Sequence, residues 1–153
     1  MTLIELIQAI EAAAAAQPAV RMIVRQDARR LNDCPDAVYG VFSWVQGVHS
    51  RLVGSDSIVY QFSLFYIDRL TADRKNETFI QSTGIQVLNN VIDQLNDNGQ
   101  VYGISEIQFT PFDYRFADEC AGVFTNMRIE VAATSVCETD YTDLGYNDGI
   151  MII

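Results

Sequence analysis

The sequence predicts an α+β fold: a mainly antiparallel sheet, in the order α-β-β-β-α-β-β, with two helices packed on one face. Two segments place apolar residues at helical spacing. Several others alternate apolar and polar residues with the period of a strand. The connections are short and turn-rich, which favours hairpins. The 153 residues fit one domain and can bury about two-thirds of their unfolded surface without a disulfide or metal. The expected division is a single α+β domain over 1–137 and an acidic C-terminal extension over 138–153.

The first helix is expected at about 2–16. Thr2 and Glu5 have the spacing of a capping box, Leu3, Leu6, Ile7, Ile10 and Ala14 form a stripe, and Pro18 ends the segment. Val20 to Gln26 alternates, with Val20, Met22 and Val24 on one face and Arg21 and Arg25 on the other. Residues 27–37 read as a loop. Tyr39 to Leu52, rich in Val, Phe and Trp, reads as a second strand. It forms a long hairpin with Ile58 to Leu70 through the turn Gly54 to Ser57. Thr78 to Asn96 is the second helix, with Ile80, Gly84, Leu88, Val91, Ile92 and Leu95 on its apolar stripe. Gly84 would let that stripe approach a sheet closely. Val101 to Thr110 is a fourth strand, Pro111 to Glu119 an aromatic loop, and Gly122 to Ala132 a fifth strand that turns Val123, Met127, Ile129 and Val131 inward.

No apolar run reaches the ~20 residues of a membrane span. No basic stretch precedes the first apolar segment, so a cytoplasmic product without a signal peptide is expected. Cys34, Cys120 and Cys137 lack Cys-x-x-Cys spacing and read as reduced thiols. A net charge of −10 argues against a specific nucleic-acid binder. In residues 1–75 the bases Arg21, Arg25, Arg29, Arg30, Arg51, Arg69, Arg74 and Lys75 balance the acids, so the excess sits in residues 76–153, where the only bases are Arg115 and Arg128.

His49 is the only histidine, which excludes a two-histidine zinc site. There is no phosphate-cradling Gly-rich loop and no Gly-x-Ser-x-Gly elbow. Asp140, Asp143 and Asp148 fail the EF-hand spacing, since Leu144 and Met151 fall where ligands are needed. The expectation is therefore no catalytic residue, no metal site and no cofactor. Candidate interface residues are Arg21, Arg25, Arg29 and Arg30 in the first strand and loop, and Phe112, Tyr114, Arg115 and Phe116 in the aromatic stretch. Tyr141 and Tyr146 in the acidic tail complete the set.

The order of elements, the hairpin ending in Phe65-Tyr-Ile-Asp-Arg-Leu70 and the helix carrying Ile80, Leu88, Ile92 and Leu95 together resemble a known group. It is the small tail-terminator and tail-completion (neck) proteins of tailed bacteriophages. The stretch from Thr110 to Gly122 also looks like phage-derived proteins of gut bacteria. The resemblance covers residues 1–132. It implies a virion protein, made in the bacterial host cytoplasm. Such a chain is one subunit of a homo-oligomeric ring, commonly a hexamer, that joins the tail tube to the head connector. The acid-rich second half would suit a lumen that lets DNA pass. One alternative is a small host α+β domain that binds a ligand or peptide in an apolar pocket between sheet and helices. Another is a hydrolase or transferase using Cys34 or Cys120.

Overall fold

The structure, a computed structural model, describes residues 1–26, 40–105, 107–115 and 119–133, with Tyr114, Arg115 and Glu119 described by backbone alone. The chain runs α1 (Leu3–Ala15), β1 (Met22–Arg25), β2 (Val41–Gln46), β3 (Ser57–Arg69), α2 (Glu77–Asn96), β4 (Val101–Ile104), β5 (Thr110–Arg115) and β6 (Glu119–Ala132). This is the expected α+β class, a mostly antiparallel sheet with two helices.

α1 opens on the capping box. The Glu5 amide donates to Thr2 Oγ1 at 3.2 Å, and the Thr2 amide donates to Glu5 Oε2 at 2.6 Å. α1 buries Leu6, Ile10, Ala13 and Ala14, and α2 buries Ile80, Gly84, Val87, Leu88, Val91, Ile92 and Leu95. All but Ala13 and Val87 lie on the expected stripes, and Leu3 and Ile7 of the first stripe are partly buried against the core.

The sheet runs β1-β2-β3-β6-β4, with β5 also on β6. β2 and β3 form the expected antiparallel hairpin, from Val41 opposite Ile67 to Gln46 opposite Phe62. β3 pairs with β6 from Ser57 opposite Ala132 to Arg69 opposite Cys120. Period-two alternation then sorts the side chains. Tyr60, Phe62, Leu64 and Tyr66 of β3 and Ala121, Val123, Met127, Ile129 and Val131 of β6 join the helices in one core. Gly84 lets α2 close on this layer. A Cβ at that position would lie 3.0 Å from Tyr66 Cδ1 and 3.3 Å from Val123.

Four expectations need correction. The fourth strand is two short ones, because β4 pairs with the Ile129–Val131 end of β6 and β5 with its Glu119–Phe124 end. Residues 110–115 are accordingly strand rather than aromatic loop. Pro111 is tolerated there because β5 is a sheet-edge strand. The second strand stops at Gln46, so Val48 and Leu52 belong to the hairpin loop. Finally, β1 keeps its two expected faces but joins the otherwise antiparallel sheet parallel to β2, with Ile23 opposite Phe42 and Arg25 opposite Trp44. Phe42 and Trp44 are core residues, so Ile23 and Arg25 lie on the helix side, and Ile23 packs against the core. Met22 and Val24 take the other face. Alternation sorts residues into two faces but does not say which face is inward.

Gly122 reports on the whole arrangement. A Cβ there would lie 2.1 Å from the Tyr66 carbonyl oxygen and 2.9 Å from Phe112 Cζ. Gly122→Ala should therefore destabilise the fold by roughly 1–3 kcal/mol or more in urea unfolding. Gly99→Ala, in open space, should cost far less. Equal costs at the two positions would contradict this packing.

Candidate interaction surfaces

The arginine-bearing strand is tied down at one residue. Arg25 grips Glu11 of α1 with two hydrogen bonds, Nε to Oε1 at 2.6 Å and Nη2 to Oε2 at 2.8 Å. Trp44 of β2 adds its indole N–H to the same Oε1 at 3.0 Å. One carboxylate so joins α1, β1 and β2. The arginine bonds, with the Trp44 bond assisting, hold the Glu11 carboxyl below the ordinary glutamate range. The facing of β1 explains the geometry: only from the helix side of β1 can Arg25 reach α1. Arg21, just before β1, is exposed, and its amide donates to the Gly40 carbonyl at 2.8 Å. Arg29 and Arg30 lie outside the described residues.

The aromatic stretch forms part of a cluster on the sheet face away from the helices. Phe112 sits edge-on to Phe65 at 6.5 Å and 6.1 Å from Phe124, and Phe65 stacks on Phe124 at 5.7 Å. Adjacent registers put all three there: Phe65 opposite Phe124, and Phe112 opposite Gly122. Phe112 is thus half-buried against its own sheet. Tyr114 and Arg115 stand opposite Cys120 and Glu119 at the end of β5. Asp113 bonds Arg74 at 2.6 Å. Phe116, Tyr141 and Tyr146 lie outside the described residues, as do Cys34 and Cys137.

Sequence reading missed one surface. The loop joining β2 to β3 exposes three aliphatic side chains: Val48 by 76%, Leu52 by 79% and Val53 by 98%. The loop is held in shape. The Gly47 amide donates to the Gln61 carbonyl at 2.8 Å, and Ser50 and Val59 exchange backbone bonds at 2.9 and 2.8 Å. Arg51 Nη2 donates to the Ser55 carbonyl at 3.1 Å. His49 accepts from the Gln61 amide through Nδ1 at 3.2 Å, which leaves Nε2 to donate to Gln46 Oε1 at 3.1 Å. Its ring packs edge-on to Tyr60 at 5.1 Å. The only histidine is thus a loop anchor with both nitrogens engaged. The sequence signal was available in Gly54 and the turn residues around it. Val48 and Leu52 masked it by extending a β-rich run.

A shallow, open concavity of about 290 Å³ is lined by Val59, Gly103, Ile104, Ser105, Arg128 and Glu130, the last two on the same sheet face as Phe124. Glu130 there accepts from Ser57 Oγ at 2.7 Å. Tyr66 has its hydroxyl pushed up to about 12, chiefly by burial and then by the Asp68 carboxylate. Among the described residues no three His, Cys, Asp or Glu side chains come together as a metal site, and no helix is long and apolar enough to cross a membrane. No protein-family model matches the chain, and no curated protein sequence matches it.

The Glu11 clamp has a pH signature. A carboxyl held low in the folded state stabilises above its unfolded pKa of about 4.3, and that stabilisation is lost as pH falls through the folded value. At neutral pH, Glu11→Gln should cost about 1 kcal/mol, and the difference from the unchanged chain should shrink in urea titrations as pH falls below the ordinary glutamate value of about 4.3. An undiminished difference in acid would contradict the clamp.

Proposed function

We propose that this chain is a structural subunit of a tailed-bacteriophage virion: one member of a homo-oligomeric tail-terminator or neck ring joining the tail tube to the head connector. The observation that carries the reading is the combination of element order and charge division. A mostly antiparallel sheet backs onto two helices. The acidic excess is confined to residues 76–153, while the first half is balanced. A ring contact is heterologous: it joins two different patches of the same chain, which an uneven charge distribution supplies. A lumen lined by acids would not hold the phosphate backbone of passing DNA.

Among the described residues, two side chains that could do chemistry are held in structural bonds. His49 is bonded at both nitrogens and Glu11 is shared between Arg25 and Trp44. This supports a holding role over a catalytic one. Among the described residues, the concavity around Arg128 is open and modest beside the enclosed sites that bury most of a small ligand, which does not favour the reading as a host ligand- or peptide-binding domain.

The full chain in light scattering coupled to size exclusion should give a particle several times the 17.1 kDa protomer. Negative-stain images should show a ring with a central hole, and duplex DNA should not alter its elution. A protein that stays monomeric at high micromolar concentration would overturn the proposal.

A further inference from the structure

The base of the hairpin tip closes on a ring nitrogen that has to stay unprotonated. β2 pairs with β3 as far as Gln46 opposite Phe62. In the next rung the Gly47 amide donates to the Gln61 carbonyl at 2.8 Å. Residues facing each other in such a rung exchange two bonds, so the Gln61 amide would ordinarily return one to the Gly47 carbonyl. It donates instead to His49 Nδ1 at 3.2 Å. Pairing resumes at Ser50, which exchanges backbone bonds with Val59 at 2.9 and 2.8 Å. Val48 and His49 therefore stand against Tyr60 alone, a β-bulge held in place by an imidazole.

The bond fixes the protonation state of the ring. A backbone N–H only donates, so Nδ1 is the acceptor and the ring carries its proton on Nε2, which donates to Gln46 Oε1 at 3.1 Å. An imidazolium has two N–H donors and no acceptor. A proton added at Nδ1 would set one N–H against another and remove the bond to Gln61. Packing against Tyr60 at 5.1 Å and Phe62 at 5.8 Å restricts the ring from turning to another partner. Histidine is the side chain that ordinarily changes charge between about pH 5 and 8. His49 is the only one in the chain.

The surroundings leave that change to His49. Gln46, Gln61 and Phe62, which touch the ring, carry no charge. Tyr60 keeps its proton, its hydroxyl pushed up by burial and then by the Glu5 carboxylate of α1. Glu5 is itself held low by the backbone and side-chain hydrogen bonds of Thr2, so its charge is constant over the histidine range. The charged residues of the loop are Arg51, which donates to the Ser55 carbonyl at 3.1 Å, and Asp56. The Met1 ammonium donates to the Ala132 carbonyl at 2.8 Å, at the Ser57 end of β3. It is the amine from which a histidine effect has to be separated.

We infer that His49 is a pH-sensitive latch: neutral, it closes the bulge through the Gln61 amide; protonated, it releases the loop over residues 47–55 with its exposed Val48, Leu52 and Val53. The inference is independent of the ring reading. Its test is nuclear magnetic resonance on the full chain at about pH 7.5 and about pH 5.5, on either side of the ordinary histidine value of about 6.5. Ring nitrogen shifts report the proton, and amide protection factors report the latch. At the higher pH, Nδ1 should be bare and the Gln61 amide protected. Once the ring is protonated, protection at Gln61 should fall at least about tenfold, the equivalent of 1.4 kcal/mol, while Leu64 and Met127 at the centre of the sheet stay unchanged. His49→Asn offers an acceptor oxygen that no proton removes in this range, and should hold Gln61 equally at both pH values. A proton on Nδ1 at the higher pH, or a ring still neutral at the lower, would overturn the latch. So would protection at Gln61 that survives protonation of the ring; these wild-type readings stand even if the variant does not fold. A folded His49→Asn that loses protection as the wild type does would assign the effect to another group, such as the Met1 amine, and overturn the inference.

Discussion

The unbroken pairing of β3 with β6 is the constraint on which the remaining elements depend. It runs from Ser57 opposite Ala132 to Arg69 opposite Cys120. β2 attaches to one side of this ribbon, and β4 and β5 share the other. α2 lies across it, close enough that Gly84 meets Tyr66 and Val123. A slip of one residue would send Tyr60, Phe62, Leu64 and Tyr66 to the wrong face and expose most of the core. The opposite face reinforces the register by different means. Phe65 stacks on Phe124, and Ser63 Oγ donates to Asn126 Oδ1 at 2.6 Å. Aromatic and polar cross-strand pairs of this kind are worth about 0.2–1 kcal/mol each, and their value lies in agreeing with the core on one register.

With the apolar interior committed to the helix side, the chain's capacity to hold a partner falls to what the framework leaves outside. Arg25 is drawn inward to clamp α1 through Glu11, and Phe112 is drawn onto Phe65 and Phe124. Among the described residues, three of the six exposed large hydrophobic side chains, Val48, Leu52 and Val53, lie where β2 turns into β3. The loop there combines a closed hydrogen-bond framework with outward aliphatic side chains.

Local patterns made the helices legible. Thr2 and Glu5 announce the start of α1 because capping is satisfied within one turn, and the stripe on α2 follows from a period that one element sets alone. The long hairpin and β6 were likewise clear from alternation. What was not legible depended on pairing at a distance. The facing of β1 is decided by its parallel register with β2, whose Phe42 and Trp44 are core residues. Thr110 to Arg115 carries a proline and charges like a loop, and becomes strand because β6 is long enough to accept a second partner beside β4. Val48 and Leu52 read as strand because composition cannot distinguish apolar residues that are buried from those that are exposed. Of the residues proposed for contact, Arg25 and Phe112 prove to serve the fold, while the tip could be recognised only once its exposure was known.

Amide hydrogen exchange on the full chain tests the account most directly, because it reads how the scaffold opens. β3 and β6 amides should exchange slowest, since they open only with the whole domain. Amides of the β2–β3 loop should exchange faster than those of either strand. β3 and β6 amides that exchange as fast as the loop would contradict the account.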